Sequence, residues 1–224
     1  LDRARDAAQG LRDPGVSATS TGPSTRTGSV PARAWLPRWV LLALIWGCAF
    51  WFIKVAVTAL TPVQVAFSRV SLGAAVLLLA LLVTRTRLPR DPRVWLDVGI
   101  VALFLHTLPF TLFAFGETRI SSVLAGIWNA TTPLWTVVIG LAVLRGDKVG
   151  RDRWAGLGLG FVGVLIVLGV WDGVAGGDWM GSLACLAATG CYGFAVTWTR
   201  RRLAPRSESP TSLIGAQLLS GTVQ

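Results

Sequence analysis

The sequence predicts an all-α, polytopic bundle of transmembrane helices, and three observations predict it. Apolar residues make up 53% of the chain and charged ones only 14%, where a soluble domain carries about a quarter. The apolar residues fall in long blocks rather than at amphipathic spacing. Six of them, 39–58, 63–84, 94–115, 120–144, 154–171 and 179–199, are each about long enough to cross a ~30 Å hydrocarbon core at ~1.5 Å per residue. The third observation is that the basic residues cluster in alternate connections.

Taken in order, residues 1–38 are polar, rich in small residues and broken by prolines, with no apolar segment of a signal peptide. They read as a disordered tail. Arg85, Arg87, Arg90 and Arg93 follow the second block; Arg145, Lys148, Arg151 and Arg153 follow the fourth; Arg200, Arg201, Arg202 and Arg206 follow the sixth. The intervening connections "TALTPVQ", "GETRISS" and "WDGVAGGDW" hold Arg119 and no other base. By the positive-inside rule the tail is cytoplasmic and the first block runs outward. The net charge of +10 is thus read as topology, and no nucleic-acid partner is expected. A seventh block starts near Thr211 and runs to Gln224, so the chain reads as a fragment. Cys48, Cys185 and Cys191 lie inside apolar blocks and read as packing residues.

Two stretches recur. "GCAFWFIK" at Gly47 has a partial echo in "GCYGFAVTWTRRR" at Gly190. "TPVQVAFSRVSLG" at 61–73 aligns with "SPTSLIGAQLLSG" at 209–221, placing Pro62 on Pro210, Arg69 on Gln217 and Gly73 on Gly221. The first block runs outward and the sixth inward, so the second copy is inverted.

With "IWGCAFWFIK", "LTPVQVAFSRVSLGA", "ISSVLAGIWNATTPLWTVVIGLAVL" and "RWAGLGLGFVGVLIVLGV" in that order, the chain resembles the EamA-type transporters of the drug/metabolite transporter superfamily. The resemblance implies inverted repeats of five helices, with 39–171 a first repeat and 178–224 the start of a second. Ten helices in full members would leave about three and a half beyond this chain. It also implies a multi-pass protein of the cell membrane that moves a small organic metabolite or drug by alternating access around a midplane cavity. Two features depart from the family pattern. Asp147 stands where Gly-Glu-Arg is usual, and Glu117 stands where a neutral residue is commoner.

A transport site needs polar groups at mid-membrane beside helices that can shift. In "NATTP", Asn129 and Thr132 share a face, and Pro133 cannot donate to the Asn129 carbonyl. In "HTLP", Pro109 leaves the Leu105 carbonyl in the same position beside His106 and Thr107. A kinked helix bonded to its neighbours would explain each feature singly; together they suit a substrate cavity. Trp46, Phe50 and Trp128 lie too deep for interface anchors and either pack or line that cavity. His106, the single histidine, is a proton relay or a neutral interhelical bond. Gly156, Gly160 and Gly163 form a small-residue face suited to helix packing or a homodimer contact. Lys54, Arg69 and Glu117 fall near one end, where Lys54 either snorkels or pairs with the other two as an external gate.

A membrane-embedded enzyme would need paired carboxylates, a nucleophile with a base, or metal-ligand spacing, and the blocks hold none of these. A non-transporting scaffold leaves the midplane prolines unexplained. No metal and no cofactor is expected; the expected partners are the lipid bilayer and a small-molecule substrate whose identity the sequence does not give.

Overall fold

The structure, a computed structural model, describes residues 32–86, 88–143, 150–167, 178–206 and 208–224. By its contacts the chain divides into Leu1–Leu41 and Leu42–Gln224. The first unit is described only as the opening turns of α1; the packing described below belongs to the second. The tail to residue 31, with Arg87, Arg145, Asp147 and Lys148, lies outside the described residues.

Every regular element among the described residues is helical: α1 (Ala32–Ala56), α2 (Pro62–Thr84), α3 (Pro92–Ala102), α4 (Leu108–Glu117), α5 (Ser122–Asn129), α6 (Thr132–Val143), α7 (Arg151–Val167), α8 (Trp179–Trp198) and α9 (Pro210–Val223). A π-helical turn, Leu103–Thr107, joins α3 to α4, and a second, Thr199–Leu203, extends α8. Five stretches are long and apolar enough to cross a membrane: Trp35–Ala56, Pro62–Thr84, Pro92–Glu117, Ser122–Ala142 and Trp179–Leu203. This is a polytopic helical membrane bundle.

One boundary differs from expectation. Helix α1 begins at Ala32, inside the stretch expected to be a disordered tail, and runs through Pro37, which has no N–H to donate to the Arg33 carbonyl. The fifth block, expected over 154–171, is described as α7 as far as Val167, and residues 168–171 lie outside the described residues.

Helix starts follow a repeated device. Thr61, Asp91 and Ser209 each cap a helix whose first residue is proline, which has no N–H to leave unpaired. Thr61 and Gln64 complete a capping box, with the Thr61 N–H donating to Gln64 Oε1 at 2.9 Å. Arg85 ends α2 in the left-handed conformation at φ 52°, an unfavourable place for a side chain, while the Thr86 N–H bonds back to the Leu81 carbonyl at 3.0 Å.

Lipid is as apolar as leucine, so helix association here rests on close packing rather than on escape from water. Glycines decide where it is closest. A Cβ on Gly193 would sit 2.8 Å from the Trp135 backbone, and one on Gly181 would sit 3.1 Å from the Gly116 carbonyl oxygen. Hence α8 lies backbone to backbone against both α4 and α6. Helices α2 and α9 run antiparallel: Gly215 meets Leu81 and Gly221 meets Val70. Gly73 meets Leu218 at 3.5 Å, and Gly221 meets Val70 at 3.1 Å. In the sequence alignment Gly73 falls on Gly221 and Val70 on Leu218, so the two contacts exchange, as contacts across a two-fold axis do.

Candidate functional site

The third span is interrupted where "HTLP" falls. Pro109 has no N–H, and the ladder slips to a wider register, with the Leu108 N–H bonding to the Leu103 carbonyl five residues back. The slip sets His106 and Thr107 against α9. Thr107 Oγ1 donates to Gln224 Oε1 at 3.2 Å, and Gln224 Nε2 donates to the Gly99 carbonyl at 3.1 Å. His106 lies beside Gln217 and edge-on to Phe110 at 5.7 Å, yet neither ring nitrogen completes a hydrogen bond.

The fourth span breaks outright between α5 and α6, at Ala130 and Thr131. Pro133 frees the Asn129 carbonyl, which accepts instead from the Thr132 hydroxyl at 2.8 Å. Thr131 Oγ1 bonds to the Trp128 carbonyl at 2.7 Å and to Thr189 Oγ1 of α8 at 3.1 Å. Two hydroxyls thus satisfy the broken ladder locally. The half-buried Asn129 amide makes no hydrogen bond among the described residues, and the buried Trp128 indole N–H has no partner. Trp128, Thr131 and Trp135 line an apolar groove of about 620 Å³ against Trp154 and Phe161 of α7.

The two interruptions therefore face different neighbours, α9 for the third span and α7 with α8 for the fourth. The structure does not gather the seven expected cavity residues around one space. Phe50 packs edge-on against Phe113, which stacks on Tyr192. Trp46 is 59% exposed on the outer side of α1. A Cβ on Gly156, Gly160 or Gly163 would meet no described residue within 4 Å, whereas Gly116, Gly181 and Gly193 lie in tight helix crossings.

At the end of the bundle where α1 meets α4, the ammonium of Lys54 donates to the backbone carbonyls of Glu117 and Ile120, the latter at 2.9 Å. The last carbonyls of a helix have no intrahelical donor, so a lysine completes them. Glu117 is fully buried; the Ser122 hydroxyl donates to one carboxylate oxygen at 3.1 Å, and the other oxygen has no partner. Arg69 stacks on Phe110, its guanidinium carbon 4.2 Å from the ring centre. No ion pair joins Lys54, Arg69 and Glu117 to one another among the described residues. Nearby, Arg119 bonds to Asp178 at 2.6 Å.

A cluster at the opposite end was not expected. Arg206 donates to Asp97 at 2.8 Å and Asp91 at 3.4 Å, and Asp97 also accepts from the Trp198 indole at 3.2 Å. Asp97 is buried at 5% exposure. The available signal was a carboxylate inside an apolar block, beside a connection that carries Arg85, Arg87, Arg90 and Arg93. Among the described residues no group of three or more His, Cys, Asp or Glu could hold a metal ion.

Interrupted spans with unpaired polar groups, set in an all-helical membrane bundle, are the architecture of membrane transport proteins. The EamA-like transporter family model matches residues 35–169, more than half the chain, and the chain belongs to that family. It is 27% identical over 165 residues to the uncharacterized inner membrane transporter YedA of Escherichia coli K12, covering 73% of this chain and 52% of that one. It is 25% identical over 164 residues to protein PagO of Salmonella typhimurium, covering 73% and 54%. An uncharacterized transporter of Archaeoglobus fulgidus is 25% identical over 136 residues, covering 59% and 48%. The chain spans about half the length of the curated relatives it matches. No solved structure matches it.

Proposed function

We propose that this protein is a secondary transporter that moves a small organic solute by alternating access between two inverted repeats. The observation that carries the reading is the pair of interruptions, Leu103–Thr107 and Ala130–Thr131, each near the middle of its own span. A span that only anchors has no use for a broken ladder at that depth, whereas a transporter uses such breaks to present backbone and side-chain polar groups to a solute. The reciprocal contacts of Gly73 and Gly221 support the two-repeat arrangement, and the arginine-rich connections support a cytoplasmic N-terminus. His106 and Asn129, with polar atoms left unpaired, are the groups such a solute would meet. Lys54, Glu117 and Ser122 would then close the outer end of the path.

Reconstitution in liposomes loaded with amino acids, nucleosides or cationic dyes tests this. At least one class should cross faster than in protein-free liposomes. Asn129→Ala should lower that flux about tenfold, the equivalent of one hydrogen bond of ~1.4 kcal/mol, without reducing insertion. No flux of any class would end the transporter reading, and unchanged kinetics in Asn129→Ala would remove that residue from the path.

A further inference from the structure

We infer that Arg69 is the binding point for a small organic anion, a carboxylate above all, whose apolar body lies in the groove between α1 and α2. The inference rests on the transporter reading and gives it a substrate class. Arg69 lines a groove of about 740 Å³ with Ile45, Cys48 and Phe52 of α1 and Val65 and Ser68 of α2. It lies seven residues into α2, roughly 10 Å along the helix axis from its start at Pro62, below the depth of lipid headgroups.

A guanidinium carries five donors in its plane, and a cation–π contact uses only its face. Phe110 takes that face, and among the described residues no acceptor takes the in-plane donors. The groups that could fill them are committed elsewhere. Among the described residues neither Glu117 nor Tyr192 forms an ion pair or hydrogen bond with Arg69. The Glu117 carboxylate is buried behind Ser122, and Lys54 is held by backbone carbonyls. A charged group at membrane depth with unused donors is costly unless an acceptor arrives to fill them. A carboxylate fits the fork in two parallel hydrogen bonds. The remaining groove wall is apolar apart from Ser68 and Cys48, so it suits an aromatic or aliphatic body attached to that carboxylate.

Cys48 is exposed in the same groove and reports on it directly. The protein in phosphatidylcholine liposomes is treated with sulfonatoethyl or trimethylammonioethyl methanethiosulfonate, and modification of the Cys48 peptide is followed by mass spectrometry. Relative to the same two reagents on 2-mercaptoethanol, the anion should be preferred about tenfold. Arg69→Gln should remove the preference and Arg69→Lys should keep most of it. Phenylacetate should slow Cys48 modification, and phenethylamine, its cationic counterpart, should not. The inference falls if the wild-type protein shows no anion preference, if the preference survives Arg69→Gln, or if both ligands protect equally. It falls also if phosphatidylglycerol in the bilayer protects Cys48 as phenylacetate does, since the occupant is then a lipid. Should Arg69→Gln fail to insert, the wild-type arms decide alone. Labelling reads occupancy rather than flux, so a protein that binds phenylacetate but moves no solute overturns the transporter reading and leaves the anion site standing.

Discussion

At one end of the bundle α4 and α8 meet backbone to backbone through Gly116 and Gly181, while at the other Arg206 reaches from beyond α8 to Asp91 and Asp97 near the start of α3. The first end is closed by main chain. Its cation, Lys54, completes helix-end carbonyls, and no rotamer change can separate the two glycines. The second end is closed by side chains, and one arginine swinging away would free it. An opening confined to rotamers is therefore open to the Arg206 end, whereas the glycine end separates only if whole helices move.

Removing the arginine should have the largest effect. Arg206→Gln leaves Asp97, whose side chain is 8% exposed, without its charge partner, and should cost about 3 kcal/mol in thermal unfolding in detergent. Asp97→Asn in the same background should recover part of that loss, because no buried charge then remains unpaired. Asp91→Asn, where the side chain is 49% exposed and the contact is 3.4 Å, should change little. If Arg206→Gln unfolds no earlier than wild type, the charge cluster does not hold this end and the contrast between the ends disappears.

The glycine end should respond to added volume rather than to removed charge. A Cβ on Gly116 would lie 2.5 Å from Cys185 Sγ and 3.0 Å from the Gly181 carbonyl oxygen. Gly116→Ala should therefore cost about 1–3 kcal/mol through overpacking, and Gly181→Ala a similar amount. The two share one contact, so their costs in combination should not add. Gly156→Ala and Gly160→Ala, with open space at each Cβ, should be neutral; a loss there would mean that the α7 face is covered by something the described residues do not include.

How much of this was legible in the sequence depended on whether the cause was local. Caps such as Thr61–Pro62 and Asp91–Pro92 and the prolines at 109 and 133 act within a turn or two, and the helix starts and both interruptions follow from them. The way each interruption is repaired was less visible. A π turn at Leu103–Thr107 and a hydroxyl at Thr132 are alternative answers to the same missing N–H, and neighbouring helices select between them. Which small residues meet was not legible at all. The spacing of Gly156, Gly160 and Gly163 marks a shared face but not what lies opposite, while Gly116 and Gly181 are 65 residues apart in sequence and meet only in the fold. Arg206 and Asp97, 109 residues apart, belong to the same class. For Lys54 the sequence left two readings open, snorkelling or pairing with Arg69 and Glu117. The Glu117 carbonyl at the end of α4 and the Ile120 carbonyl just beyond it, which carry no mark in the sequence, take the ammonium.

The smallest expected effect also sharpens the comparison, because the glycine end has one ion pair of its own. Arg119 and Asp178 join at 2.6 Å, but their side chains are 38% and 33% exposed, so water screens the pair and neutral-pH stability should scarcely change in Arg119→Gln. The acid side should differ. The hydrogen bond from Arg119, and then that from the Met180 N–H, holds the Asp178 carboxyl below its ordinary range. A depressed carboxyl contributes stability above its unfolded pKa and loses it as pH falls through the folded value. The gap in Tm between wild type and Arg119→Gln should therefore be small and constant above about pH 5 and close progressively below about pH 4. A gap that widened on acidification would place the pH-sensitive contact elsewhere on this end, and a large gap at neutral pH would mean that a surface ion pair, rather than the Gly116–Gly181 crossing, holds α8 to α4.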